Sequence, residues 1–299
     1  MPPDLPDGIQ NERLRSLNAR SERPGDYVLY WMQGSQRAEG NQALEYAAYR
    51  AAAMNKPLLV YFGLDEKLPK ANARHVAFMV RGLKEVAAEL DERGIGFVVR
   101  RENPLFGVVS LCRHACLLVV DVGYSQIQRM WRGELASHVS CPLIQVESNV
   151  IVPVTAASDK EEFSAATFRP KLGRVLDNYL KEVEEVPVGR RFKGDAIRTI
   201  DLSDFKDDLG DLAVDRSVPI VATAVGGQRR GRSLLKRFLK ERLERYAEDR
   251  DDPSLDATSR ISPYIHFGQL SPVEVALAVR ERDASGKEAF LAELVVRRE

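Results

Sequence analysis

The sequence predicts an α/β chain: a doubly wound parallel sheet of five strands, then a linker, then an all-α region. Three observations predict it. Strand-like and helix-like segments alternate through residues 26–150. The strand-like segments are near-continuous Val, Ile and Leu runs, which a strand needs when helices cover both faces of its sheet. Beyond Gly226-Gly227 no strand-like pattern returns, and apolar residues recur at helical spacing.

Taken in order, "YVLYWM" is a strand and "AEGNQALEYAAYRAAAM" a helix; "PLLVYFGL" is the next strand. A long helix over residues 71–93 follows, with Val76, Val80, Leu83, Val86, Ala87 and Leu90 forming one apolar stripe. Gly94 ends it, and "GFVVRR" is the third strand. "LFGVVSLCRHAC", "LLVVDVG", "IQRMWRGELASHV" and "PLIQVE" continue as helix, strand, helix, strand. Right-handed crossovers between them give a Rossmann-like sheet, and such sheets bind ligands beyond the carboxyl ends of their strands. Neither G-x-G-x-x-G nor a Walker loop is present, so the usual nucleotide fingerprints are missing. Residues 1–25 read as an N-terminal extension, 26–150 as the α/β domain, 151–225 as an interdomain helical and linker region, and 226–299 as the helical domain. The mixed charges, Pro and Gly of 191–227 suggest a linker lying over the surface.

The 299 residues are 44% hydrophobic and 29% charged, enough for two cores. Acidic and basic residues number 44 each, so no global attraction to nucleic acid or membrane is indicated. No apolar run approaches the roughly 18 residues of a membrane span, and "MPPDLPDGIQNERLRSL" has no apolar signal core. A cytoplasmic monomer without membrane attachment is expected. Three cysteines make no even disulfide framework. Cys112 and Cys116, four apart, are expected on one helix face as buried thiols, and no metal site is expected.

Two stretches carry chemistry. In "QRRGRSLLKRFLKERLERY", Leu235, Phe238, Leu239, Leu243 and Tyr246 form an apolar face, while eight bases against Glu241 and Glu244 leave a local charge of +6. This is either a solvated helix face or a phosphate-facing patch. In "DATSRISPYIHFGQLSP", Ser262-Pro263 and Ser271-Pro272 both read as an N-cap followed by proline, and Ser271 with Glu274 suggests a capping box. Unpaired N–H groups there would suit a phosphate, with Thr258 and Ser259 hydroxyls and the Arg260 fork beside them; the alternative is two capped helices and no ligand. His266 reads as a core histidine, and Trp31 and Trp131 as packing aromatics. No nucleophile–base arrangement stands out.

Tyr246, Thr258 twelve positions on, "DATSRISPYIHFGQLSP" and "AFLAELVVRRE" resemble the flavin-binding domain of DNA photolyases. "GDYVLYWMQGSQRAEGNQALEYA", "NARHVAFMVRGL", "VVDVGYSQIQRMWR" and "ASDKEEFSAATFRPKL" resemble the class II cyclobutane-pyrimidine-dimer photolyases in particular. The resemblance implies a light-driven lyase whose reduced anionic FAD passes an electron to a pyrimidine dimer flipped from DNA. It implies that Tyr246, Thr258, Ser259, Arg260, Ile261, Ser262 and Arg297 hold FAD. It further implies that Arg250 contacts DNA and that Glu293 is the catalytic carboxylate facing the dimer. Some relatives of the family carry an antenna chromophore in the sheet domain; nothing in this sequence names one, and Gly34, Gly40, Val122, Ser125 and Gln126 depart from the family there, which counts against such a pigment. Family members continue past the position of residue 299, so a partial flavin-binding domain is expected. A cryptochrome-like light sensor and a non-enzymatic remnant are the alternatives.

Overall fold

All five residues of β2 (Tyr27–Trp31) are buried, because successive side chains enter opposite helical layers. The computed structural model describes residues 5–66, 71–194, 197–205 and 209–298. Expectations for residues 1–4, for 195–196 and 206–208 of the linker, and for Glu299 lie outside these. β3 (Leu58–Gly63), β4 (Gly96–Arg100), β5 (Ala115–Asp121) and β6 (Leu143–Val146) complete the expected five strands, all parallel. They lie in the order β6-β5-β2-β3-β4, so the order reverses between β5 and β2.

Val28 and Tyr30 face α1 (Gln42–Ala53) and α2 (Ala73–Glu92). Leu29 and Trp31 face α3 (Pro104–Cys112) and α4 (Gln126–His138). Asn41, Asn72, Asn103 and Ser125 cap these four helices through side-chain oxygens. α3 stops at Cys112 and Cys116 lies in β5, so the two cysteines share no helix face. Both are buried; burial raises the Cys112 thiol, whose hydrogen-bond neighbour is Cys141.

A sixth strand, β1 (Leu14–Ser16), extends the expected sheet by pairing antiparallel with β6. Its three residues carry no apolar alternation, and its anchor is the preceding residue. The buried Arg13 guanidinium donates to the carbonyls of Glu147 (2.9 Å), Val150 (3.1 Å) and Ile151 (2.6 Å). It also lies over the Tyr179 ring. Beside it Glu147 accepts from the Tyr124 hydroxyl and from the Val154 N–H, and burial raises its pKa above the ordinary 4.5. The folded state therefore binds this proton more tightly than the unfolded one, and stability falls as pH rises from 4.5 through the folded value. Glu147→Gln, whose amide can serve both partners, is expected to be more stable than the parent at pH 7. Urea denaturation should show that gain shrinking as pH falls toward 4.5.

After α5 (Val154–Ala157) and α6 (Ala165–Tyr179) the chain returns across the sheet domain. The expected surface linker is more firmly held than its composition suggests. Leu202, Phe205, Leu209 and Leu212 are buried in the α1–α2 layer. Phe192 N–H donates to the Gly94 carbonyl (2.9 Å) and Ile200 N–H to that of Val99 (2.9 Å), along the outer side of β4.

A separate apolar core joins α6 to α7 (Gln228–Glu241), α8 (Tyr246–Asp249), α9 (Ser262–His266), α10 (Pro272–Arg280), α11 (Lys287–Leu291) and a π-helical turn (Ala292–Arg297). The apolar face read over 228–246 is buried as expected, but the helix breaks at Arg242 and resumes at Tyr246. Phe78 of α2 enters this core, its ring 4.9 Å from Tyr264 and 5.3 Å from Phe267. Three further devices lock the two layers. The Glu85 carboxylate accepts the Arg229 N–H (2.7 Å), capping α7 where Gly227 has no side chain to do so. Buried Gln269 accepts from Gly227 N–H (2.7 Å) and donates to the Phe78 carbonyl (3.3 Å). Arg37, with 0% exposure, donates to the carbonyls of Gly40 (3.0 Å), Ser148 (2.8 Å) and Gly268 (2.9 Å) and to Asn149 Oδ1 (3.0 Å). Burial lowers its pKa to about 10. Among the described residues no helix is long and apolar enough to cross a membrane.

Candidate functional site

A cavity of about 820 Å³ opens at the carboxyl ends of β2, β3 and β5, beside the point where strand order reverses, and the helical region closes its other side. Asp121, the last residue of β5, shapes the sheet side. Its Oδ2 accepts the consecutive N–H groups of Gln33 (2.9 Å), Gly34 (3.0 Å) and Ser35 (3.0 Å), and its Oδ1 accepts the Tyr30 hydroxyl (2.9 Å). The loop after β2 is thereby curled so that Gln33 and Gln36 line the cavity. Both amide atoms of Gln33, and Oε1 of Gln36, are buried without a hydrogen-bond partner. Buried polar atoms normally have partners, so this wall is suited to a polar ligand. Trp31, fully buried in the sheet core, and Trp131, packed against it with ring centroids 6.1 Å apart, also line this cavity.

On the helical side the cavity meets Tyr246, Ser259, Ile261, Ser262, Phe290 and Glu293. Phe238 and Phe290 hold the Tyr246 ring at centroid distances of 5.5 and 5.3 Å, and burial raises its hydroxyl pKa. Of the residues predicted from sequence, the fold thus gathers Tyr246, Ser259, Ile261, Ser262 and Glu293 onto one wall. Arg250 and Arg297 do not line the cavity but pair with Glu293 at its rim. Arg250 Nη1 donates to Glu293 Oε1 at 2.6 Å, and Arg297 Nη1 lies 3.3 Å from the same oxygen.

Thr258 and Arg260 are placed differently. Thr258 is exposed, and its carbonyl accepts from Arg242 (3.1 Å). Arg260 adopts φ +59°, which turns the chain sharply, and its guanidinium returns to Asp256 (2.9 Å). Asp256 also holds Arg242, so this carboxylate fixes the loop's shape. The expected Ser262 N-cap is not found. Ile261 is the N-cap residue and is already in the helical region, so Ser262 is the first helical residue and makes no capping bond. With only five residues, α9 offers little dipole; the Ser259 and Ser262 side chains supply the polar character of this wall.

Ser271 does cap α10, accepting from Glu274 N–H (3.5 Å), but the Glu274 carboxylate turns to Arg232 (2.6 Å). The two Ser-Pro starts therefore differ in purpose. His266 is exposed, not a core histidine, and lies edge-on to Phe267 at the cavity wall. Most of the basic segment is neutralised within the fold: Arg229 by Glu85 and Glu89, Arg232 by Glu39 and Glu274, Arg237 by Glu241, Arg242 by Asp256, and Arg245 by Asp249. This favours the structural reading of that +6 stretch and leaves Arg230, Lys236 and Lys240, all exposed, as its outward bases. Among the described residues no group of three or more His, Cys, Asp or Glu side chains could hold a metal ion.

Sequence reasoning missed the sheet-side wall of Gln33, Gln36, Tyr124 and Gln128. The available signal was positional: these residues follow β2 and β5, the strands flanking the reversal in order.

A family model described as DNA photolyase matches residues 28–188. The chain is 43% identical over 294 residues to a deoxyribodipyrimidine photo-lyase of Methanothermobacter thermautotrophicus, covering 97% of this chain and 64% of that protein. It is 32% identical over 300 residues to that of Potorous tridactylus, covering 97% and 55%, and 33% identical over 310 residues to that of Arabidopsis thaliana, covering 97% and 62%. The chain thus spans 55–64% of the length of these relatives. Two solved structures share the fold at 18% identity. One is a class III photolyase from Agrobacterium tumefaciens (TM-score 0.68, 94% of this chain and 59% of that one). The other is an archaeal photolyase from Sulfolobus tokodaii (TM-score 0.67, 89% and 56%).

Proposed function

Because the chain belongs to the DNA photolyase family, we propose that its cavity serves light-driven repair of cyclobutane pyrimidine dimers in DNA, with FAD as cofactor. The observation that carries this reading is the convergence of Tyr246, Ser259, Ile261, Ser262 and Glu293 on one cavity. A volume of about 820 Å³ is within the range of cofactor sites, and the donor set suits FAD. Ser259 and Ser262 offer hydroxyls to its phosphates, while Tyr246 and Phe290 give an apolar, water-poor wall to a ring system. Reduced FAD, when bound and excited by light, supplies the electron that opens the cyclobutane ring.

The remaining work falls to the chain's own groups. Glu293, paired with Arg250 and Arg297, presents an acceptor to the N–H edges of extruded bases. Arg250 supplies a cation for the DNA backbone, with exposed Arg230, Lys236 and Lys240 as further positive charges on this region. Thr258 and Arg260 act by fixing the loop that carries Ser259.

The test is direct. FAD-loaded chain mixed with ultraviolet-irradiated duplex DNA is expected to remove dimers under blue light and not in the dark, read by dimer-specific nicking. Retained flavin without light-dependent loss of dimers would reduce the reading to a light-sensing flavoprotein. Failure to take up FAD would overturn it altogether.

A further inference from the structure

Arg250 closes α8 and Glu293 opens onto the cavity from the π-helical turn, 43 positions further along the chain. Their 2.6 Å contact uses Glu293 Oε1, and Arg297 approaches that same oxygen; no described residue is bonded to Oε2. The Arg250 guanidinium also lies over the Tyr246 ring, 5.8 Å from its centroid. The pair sits at the rim of the site, with side-chain exposures of 23% for Arg250 and 29% for Glu293. An ion pair that wet contributes little net free energy, so a second anion can displace the carboxylate. A phosphodiester is such an anion, because its oxygens match the arginine fork as a carboxylate does.

Resting on the reading of Arg250 as a DNA contact, we propose that Glu293 is a built-in competitor for the backbone phosphate at Arg250. In the free protein the ion pair is closed, and the carboxylate occupies the arginine. A phosphate that takes Arg250 opens the pair and releases Glu293 toward the cavity. Arg297 keeps its hold on the released carboxylate, so no charge is stranded. Docking of the backbone and readiness of the base-facing carboxylate then become one event.

Affinity for an undamaged duplex oligonucleotide, read by fluorescence anisotropy over a salt series, tests this without any need for repair. Glu293→Gln is expected to tighten binding about fivefold, the upper range for freeing a partly exposed pair. Asp251→Asn is the charge control. The Asp251 carboxylate lies 3.7 Å from Arg250 Nε and is 87% exposed, so its removal changes the local charge equally but leaves the Glu293 bond intact; under twofold is expected. Glu293→Asp, which keeps the charge but shortens the reach, should give part of the gain. In an Arg250→Gln background, Glu293→Gln should change affinity by less than twofold. Equal gains from Glu293→Gln and Asp251→Asn, or a gain that persists without Arg250, would overturn the competition. If Arg250→Gln alone leaves both affinity and salt slope at parent values, the DNA role of Arg250 itself has failed, and the competitor with it.

Discussion

Gly268→Ala is expected to destabilise the protein by about 3–5 kcal/mol. Gly268 has φ +64°, where an L side chain costs about 1–2 kcal/mol. An added Cβ would also meet the Gly34 carbonyl oxygen at 1.8 Å. That atom is backbone, in the loop that Asp121 fixes through three N–H bonds, so it cannot swing aside as a side-chain tip would. Overpacking of this kind costs about 1–3 kcal/mol more, and it loosens the Gly268 carbonyl from Arg37. Urea denaturation followed by near- and far-ultraviolet circular dichroism should show a lower midpoint. Hydrogen exchange should show the α9–α10 amides losing protection before those of the sheet. A variant within 1 kcal/mol of the parent would mean that the two layers dock by other means.

Arg37→Met is expected to cost a similar amount, about 3–5 kcal/mol. Methionine fills much of the volume but offers no donor. The carbonyls of Gly40, Ser148 and Gly268 would be left buried and unpaired, at about 1–3 kcal/mol each. Entry of water into the vacated space offsets part of that loss. Arg37→Lys should recover only a fraction, since one ammonium cannot span acceptors arranged for a planar fork. The two substitutions share the Arg37–Gly268 bond, so the double variant should lose less than the sum of the singles. Strict additivity in a double-mutant cycle would show the bond to be energetically idle.

The five parallel strands are legible because burial on both faces leaves each a run of Val, Ile and Leu, as in "LLVVD" of β5. β1 is not, since three residues with two exposed side chains carry no pattern, and its anchor Arg13 reads in sequence as one more surface cation. The break between α7 and α8 is hidden for the opposite reason. Leu243 and Tyr246 keep helical spacing after Phe238, and Phe290 receives the Tyr246 ring whether or not the helix continues. At the site, Ser259, Ile261 and Ser262 of the helical wall are legible together because they lie within one short motif. Such a motif does not reveal partners 42 or 43 positions away, such as Glu274 for Arg232 or Glu293 for Arg250. Charge in the basic segment was therefore countable, but its neutralisation was a property of the fold.

The course of residues 191–194 and 197–203 has a further consequence. β4 is the terminal strand of the sheet, and its outward N–H and C=O groups would otherwise face another molecule. Thr199 Oγ1 takes the Val99 N–H (3.0 Å), and the N–H groups of Phe192 and Ile200 take the carbonyls of Gly94 and Val99. Phe192 sits over Gly96, against which any larger residue would collide. The returning segment is thus a guard against self-association: a fragment cut at residue 188 would bare a hydrophobic strand margin, the template on which aggregates grow.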